Sequence, residues 1–286
     1  LQEPLYTDPN IWVMECADVF KEGEYWYLTY SDVADRKVHY RYAKSLKGPW
    51  TKPANDIFDG IAFYAGKTMS NGTERYLAGW CPTRIGDGDE DQWGGSLVCH
   101  RMLFNADGTI DLKLPDGIDK KFTTLKDTQL KKGLLEICVL AALKKEDSYV
   151  LSDVASVSFP RLDKTCKIEA TVKATGNDDA FGFAFGACDD KTEVYSIRFD
   201  LKNKQLVMSK DDLTRGTTPT QTNVALTVPA DKLFKVKIVA EKSVCVMYVN
   251  DKIAFSNRID KMPKNPWAIF TDKGTEISFS DIKVYE

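Results

Sequence analysis

The run Trp12-Val-Met-Glu15-Cys-Ala-Asp18-Val-Phe20 turns at Glu22-Gly23 into Tyr25-Trp-Tyr-Leu-Thr-Tyr30. Two aromatic and β-branched runs joined by a glycine turn read as a β-hairpin. The first run also carries Glu15 among apolar neighbours. A glutamate so placed is the raw material of a general acid, because desolvation disfavours the charged carboxylate. The plainer alternative is a solvated glutamate on the polar face of a strand.

Moving outward from this hairpin, the hydrophobic pattern keeps a period of two. Val38-His-Tyr-Arg-Tyr-Ala43, Arg75-Tyr-Leu-Ala-Gly-Trp80 and Gly95-Ser-Leu-Val-Cys-His-Arg-Met-Leu-Phe104 all suit strands. Lys47-Gly-Pro49, Ser70-Asn-Gly-Thr73 and Ala106-Asp-Gly-Thr109 supply turn chemistry between them. Leu130 to Lys144 is the one passable helical stretch, and it reads equally well as a strand. Five of the six tryptophans precede residue 94. Beyond that point the alternation becomes plainer, as in Cys166–Lys173, Ala180–Phe185, Val194–Asp200, Phe234–Val239, Val244–Val249 and Ile277–Tyr285. One apolar face per strand is what two packed antiparallel sheets require. The expected fold class is therefore all-β. A Trp- and Tyr-rich first domain spans 1–120, and a β-sandwich of jelly-roll or concanavalin-like form spans 121–286.

Composition narrows the chemistry. The chain has 286 residues, 43% of them hydrophobic, and a formal net charge of −3. The basic residues are dispersed, so neither nucleic acid nor an anionic membrane is an expected partner. No apolar run approaches a bilayer-spanning length. The seven cysteines are scattered singly, and no pair has metal-ligand spacing. His39 and His100, the two histidines, read as half-buried strand residues. The expected metal and cofactor content is none, and carboxylates remain as the reactive groups.

The motifs converge on a family. Glu15-Cys-Ala-Asp18-Val-Phe20 before a glycine turn resembles the acid/base motif of glycoside hydrolase family 32, the invertases, inulinases and levanases. Phe63-Tyr64-Ala-Gly-Lys-Thr-Met69 resembles the family's Asp-Phe-Tyr-Ala-Pro-Gln-Thr motif, and Arg75–Trp80 its Arg-x-Ile/Leu-x-x-Gly-Trp strand. Trp93-Gly-Gly-Ser-Leu97, with Arg101 and Asn105–Thr109 behind it, is similar to the block that ends the catalytic propeller. Glu241–Asp251 resembles a sandwich motif. Tyr42–Thr51, with its Gly-Pro-Trp, is reminiscent of the family 43 arabinanase and xylosidase propellers.

This resemblance implies a five-bladed β-propeller, present here in part, followed by a β-sandwich. It implies a β-fructofuranosidase-like hydrolase with Glu15 as catalytic acid/base and Asp18, Tyr64, Trp80 and Trp93 as substrate-binding residues. The implied partner is a fructan- or arabinan-like oligo- or polysaccharide, and family habit favours a secreted or periplasmic location. The departures are equally specific. Only fourteen residues precede Glu15, whereas the family's nucleophile block and third carboxylate lie further upstream. Asp8-Pro-Asn10 echoes the nucleophile block but reads as a turn. Ala62 stands where the family usually has Asp, and Gly66 where it has Pro. A fragment, a missing N-terminal segment or self-association is therefore expected. The alternative function is a non-catalytic carbohydrate-binding protein that retains the fold.

Overall fold

A computed structural model describes residues 3–83, 94–126, 142–145, 148–185, 193–212, 217–259, 266–273 and 276–286. The chain divides into two compact units, one formed by Leu1–Pro115 with Asp251–Ser256 and the other by Asp116–Asn250 with Asn257–Glu286.

The first unit is built from two antiparallel meanders. The first joins β1 (Met14–Glu22), β2 (Tyr25–Asp32) and β3 (Lys37–Ala43), and the second joins β4 (Tyr64–Ser70), β5 (Arg75–Pro82), β6 (Gly95–Phe104) and β7 (Ile110–Lys113). In the first, a segment beyond β3 pairs with it through two isolated bridges, His39 to Ile57 and Tyr42 to Thr51. Between those bridges the Tyr40 N–H donates to the Asp56 carbonyl at 2.9 Å, which holds Asp56 against β3.

The core of this unit is unusually polar. His39 and His100 are both buried, contrary to the half-buried expectation, and each lies on a carboxylate. Asp59, with 0% exposure, accepts from Gly60 N at 2.6 Å, Ser256 N at 2.7 Å and Ser256 Oγ at 2.5 Å, and lies 3.0 Å from His100 Nε2. Arg41, 1% exposed, donates to Tyr6 Oη at 2.9 Å and to Asp56, and its guanidinium lies over the rings of Tyr6 and Tyr30. Buried charges persist only when paired in this way.

The second unit starts with a short helix, α1 (Asp116–Asp119). It continues as strands β8 (Leu125–Lys126), β9 (Ala142–Lys145), β10 (Ser148–Leu151), β11 (Ala155–Phe159), β12 (Thr165–Ala174), β13 (Ala180–Phe185), β14 (Glu193–Asp200), β15 (Gln205–Asp212) and β16 (Thr217–Ala225). The last strands are β17 (Leu233–Glu241), β18 (Val244–Val249), β19 (Ile253–Arg258), of which the residues up to Ser256 count with the first unit, β20 (Trp267–Lys273) and β21 (Ile277–Tyr285). One sheet runs β19-β18-β17-β12-β21-β10-β9 with β8 added on β21, and the other runs β11-β20-β13-β14-β15-β16. Of the stretch weighed as helix or strand, residues 142–144 fall in strand β9, and 130–141 lie outside the described residues.

Alternation drives the packing. Along β12 and β17 the even-numbered residues from Cys166 to Ala174 and from Phe234 to Ala240 are all buried. Phe181, Phe183 and Phe199 from one sheet meet Phe234 and Phe279 from the other, with ring centroids 5.2–6.2 Å apart. Each such side chain taken out of water contributes about 1.5–3 kcal/mol. Gly182 lets β14 approach here, because an added Cβ would stand 2.0 Å from the Ile197 carbonyl oxygen.

One buried cation interrupts this apolar pattern. Lys167 donates to Asp119 Oδ1 at 2.5 Å and is paired with Glu169 Oε1 at 2.8 Å, while Lys237 donates to Asp119 Oδ2 at 2.6 Å. Partial burial alone pushes the Asp119 carboxyl up, but the two lysines outweigh it and hold the group below its ordinary value near 3.8. A carboxyl with a depressed native pKa stabilises fully above the unfolded value and loses that contribution as pH falls through the native one. Asp119→Asn is thus expected to be less stable than the parent chain at neutral pH. Urea titrations should show the difference shrinking as pH drops below 3.8.

The Asp59 cluster gives a second expectation. Asp59→Ala strands several buried donors and should cost about 3–5 kcal/mol in urea unfolding. Ser256→Ala removes one hydroxyl and should cost about 1–2 kcal/mol. Equal, small losses would show that Asp59 is not the centre of the network.

Candidate active site

Glu15 and Asp18 are three residues apart, so in a regular strand they would face opposite ways. A register shift between them changes this, because Glu15 pairs with Ser31 and Asp18 with Thr29. β1 spends three residues where β2 spends two, so both carboxylates project from one face. The inserted turn of chain puts Cys16 at φ 53°, a left-handed conformation rare outside glycine. β4 carries a matching shift between Tyr64 and Lys67, with Ala65 at φ 54°.

These two irregular segments meet. The Tyr64 hydroxyl donates to Glu15 Oε2 at 2.9 Å. Four residues beyond Tyr64, Thr68 donates to Asp18 Oδ2 from its N–H at 2.9 Å and its hydroxyl at 2.7 Å. Lys67 Nζ reaches the Ala17 carbonyl at 2.6 Å. Glu15 is exposed, so the enclosure expected from its apolar neighbours is not what surrounds it. The register shift puts Glu15 on the face of β1 that carries Asp18 and Phe20, but at the opposite end of the strand from the buried Phe20. Asp18 is half-buried, and its Oδ2 ties β1 to β4.

Tyr64 is buried and pairs in register with Trp80, whose ring lies edge-on at 6.4 Å. Trp80 pairs in turn with Leu97, which is 77% exposed. Burial pushes the Tyr64 phenol up to about 12, and the bond and charge of Glu15 add to that. Arg36, in the turn between β2 and β3, lies over the Tyr64 ring at 5.4 Å. Four of the five sequence-derived site residues are thus placed. Trp93 lies outside the described residues, as does the acidic run Asp87-Gly-Asp-Glu-Asp91 before it in the sequence.

Other sequence features resolve structurally. Asp8 does form a turn: its carbonyl accepts from Ile11 N, and its Oδ1 accepts from Asn10 N at 3.0 Å. Gly66 is required because an added Cβ would stand 2.8 Å from Val38 Cγ1. Sequence reasoning missed Arg36, Thr68 and Leu97. Leu97 shares its phase of β6 with Arg101, while Val98, His100 and Met102 form the buried phase. Arg36 and Thr68 depend on register shifts that periodicity does not show.

The family model described as "GH32, BT1760-like, C-terminal domain" matches residues 108–284. No curated protein matches the chain. Among solved structures, the fold is similar to a fructosyltransferase from A. japonicus (TM-score 0.68, 14% identity, 96% of this chain and 56% of that one). It is also similar to the Bombyx mori GH32 β-fructofuranosidase BmSUC1 (0.62, 15%, 96% and 54%). A third likeness is to a fructan 1-exohydrolase IIa variant from Cichorium intybus in complex with 1-kestose (0.67, 13%, 96% and 61%). The chain spans a little over half the length of these structures.

The Glu15–Tyr64 contact predicts a titration signature. Subtracting the ultraviolet phenolate titration of Tyr64→Phe from that of the parent should reveal one tyrosine ionising near 12. In a Glu15→Gln background that midpoint should move down, because the carboxylate no longer opposes the phenolate charge. An unchanged midpoint would separate the two groups in solution.

Proposed function

The chain belongs to glycoside hydrolase family 32, and from that premise we propose that it acts as a β-fructofuranosidase-type hydrolase on fructan oligosaccharides, with Glu15 as acid/base. The observation that carries this reading is the Glu15–Tyr64 bond, made by two strands that each break register at that point. Bulges are concentrated next to active sites, where they re-aim a side chain. The solved structures of similar fold support the substrate class, since one is in complex with 1-kestose and another, from Bombyx mori, with sucrose.

In this reading a protonated Glu15 gives its proton to the glycosidic oxygen as the C–O bond breaks. A second carboxylate forms the bond to the anomeric carbon, as in retaining glycosidases. Glu15, now a carboxylate, takes a proton from the water that displaces that carboxylate. Tyr64 fixes the Glu15 rotamer, Trp80 offers an aromatic face to a sugar ring, and Asp18 holds β1 in place through Thr68. The two meanders correspond to the last two blades of the family's propeller. Residues 1–120 form the propeller part and 121–286 the sandwich. The second carboxylate comes from blades supplied by a longer chain or a second copy.

A second reading has its own observation. Glu15 is exposed, and Ala62 stands in place of an aspartate, which suits a carbohydrate-binding protein without turnover. Fructose release from sucrose, inulin and levan, and arabinose release from arabinan, separates the two. Under the hydrolase reading Glu15→Gln lowers turnover about 10²–10⁴-fold while leaving thermal stability intact. Sugar binding without release, by a chain that carries those blades and unchanged in Glu15→Gln, establishes the binding reading.

A further inference from the structure

The hairpin of β2 and β3 carries a cluster that the glycosidase reading does not use. Asp32 ends β2, Asp35 lies in the turn and His39 follows on β3. One ligand atom from each lies within 4.8 Å of the others. Each of the three is oriented by a separate bond. Asp32 Oδ1 accepts from Ala34 N at 2.8 Å, and Asp35 Oδ1 accepts from Lys37 N at 3.0 Å. His39 Nδ1 lies 3.1 Å from Asp56 Oδ2, and its ring stacks on Tyr30.

Asp56 is buried and ion-paired with Arg41, so it is a carboxylate that accepts from Nδ1–H. That tautomer leaves the Nε2 lone pair pointing at Asp35 Oδ2, 2.9 Å away. Two lone pairs hold that separation only when they share a positive charge. A proton on the line between them is one such charge, and a metal cation to one side of that line is the other. Two ligand atoms bonded at about 2.0–2.2 Å and set at right angles on a cation stand about 3 Å apart. A carboxylate behind the remote nitrogen of a ligating histidine is the usual support of a metal-bound imidazole.

We propose that Asp32, Asp35 and His39 bind a divalent transition metal, Zn²⁺ by preference, with Asp56 orienting the imidazole. One imidazole and two carboxylates with open positions suit Zn²⁺ or Mn²⁺ better than the all-oxygen cages of Ca²⁺. The ion would cross-link the end of β2, the turn and β3. It would thereby fix the turn that carries Arg36 over Tyr64. The site stands independently of the proposed hydrolysis.

The test uses the full 286-residue chain, stripped with EDTA and dialysed. Calorimetric titration with Zn²⁺, Mn²⁺, Ca²⁺ and Mg²⁺ is paired with thermal unfolding. The expected result is one Zn²⁺ per chain with a raised unfolding midpoint, and no midpoint shift with Ca²⁺ or Mg²⁺. Asp35 is 41% exposed, and Asn keeps its size and its oxygen acceptor. Asp35→Asn should weaken Zn²⁺ binding about tenfold or more and lose the Zn²⁺-induced rise measured from the variant's own metal-free midpoint, and Asp32→Asn should do the same. Absence of Zn²⁺ binding would assign the Nε2 position to a proton and overturn the proposal. So would Zn²⁺ binding of equal strength in both variants, or a preference for Ca²⁺.

Discussion

The candidate site depends on one constraint, the register shift between Glu15 and Asp18. Without it the two carboxylates would face opposite sides of β1, and only one could reach β4. With it, Tyr64 holds Glu15 while Thr68 holds Asp18, so two contacts clamp the same pair of strands. The left-handed residues Cys16 and Ala65 each cost on the order of 1 kcal/mol. Charge-assisted bonds to Asp18, roughly 1.5–3 kcal/mol each, are sufficient to offset that strain.

The two units reach stability by different means. The second follows plain alternation, with phenylalanines from both sheets filling the space between them. The first places Asp59, His100, Arg41 and Asp56 in its interior. Buried ionic networks add little net stability over a well-packed apolar core, but a half-satisfied one is very costly. Such a network therefore penalises any arrangement of the strands other than the one that satisfies it. The unit that holds the catalytic candidates is the one whose geometry is enforced in this way.

Much of the fold was legible because period-two alternation survives wherever a sheet has one buried face. β6 and β13 begin and end where their apolar runs do, and the separators Asn71-Gly72 and Asp107-Gly108 mark real turns. The family motif brought out Glu15 and Tyr64, but nothing in the sequence tied them together. Their contact joins residues 49 positions apart through two bulges, and a bulge leaves no periodic trace. The histidines were misjudged for a related reason. Whether a strand histidine is half-buried or enclosed depends on what packs over it, here Asp56 from a broken strand and Asp59 beside residues from the far end of the chain.

Cys16 has an evolutionary consequence. At φ 53° glycine would relieve the backbone strain, and the half-turn would survive the exchange. A lineage freed from the demand that Glu15 be held in one orientation would gain by drifting to glycine there. A lineage still under that demand would gain by keeping a side chain that limits the alternatives open to the backbone. The identity of this one residue, compared across descendants of the fold, would therefore record whether selection still acts on the direction in which the glutamate points.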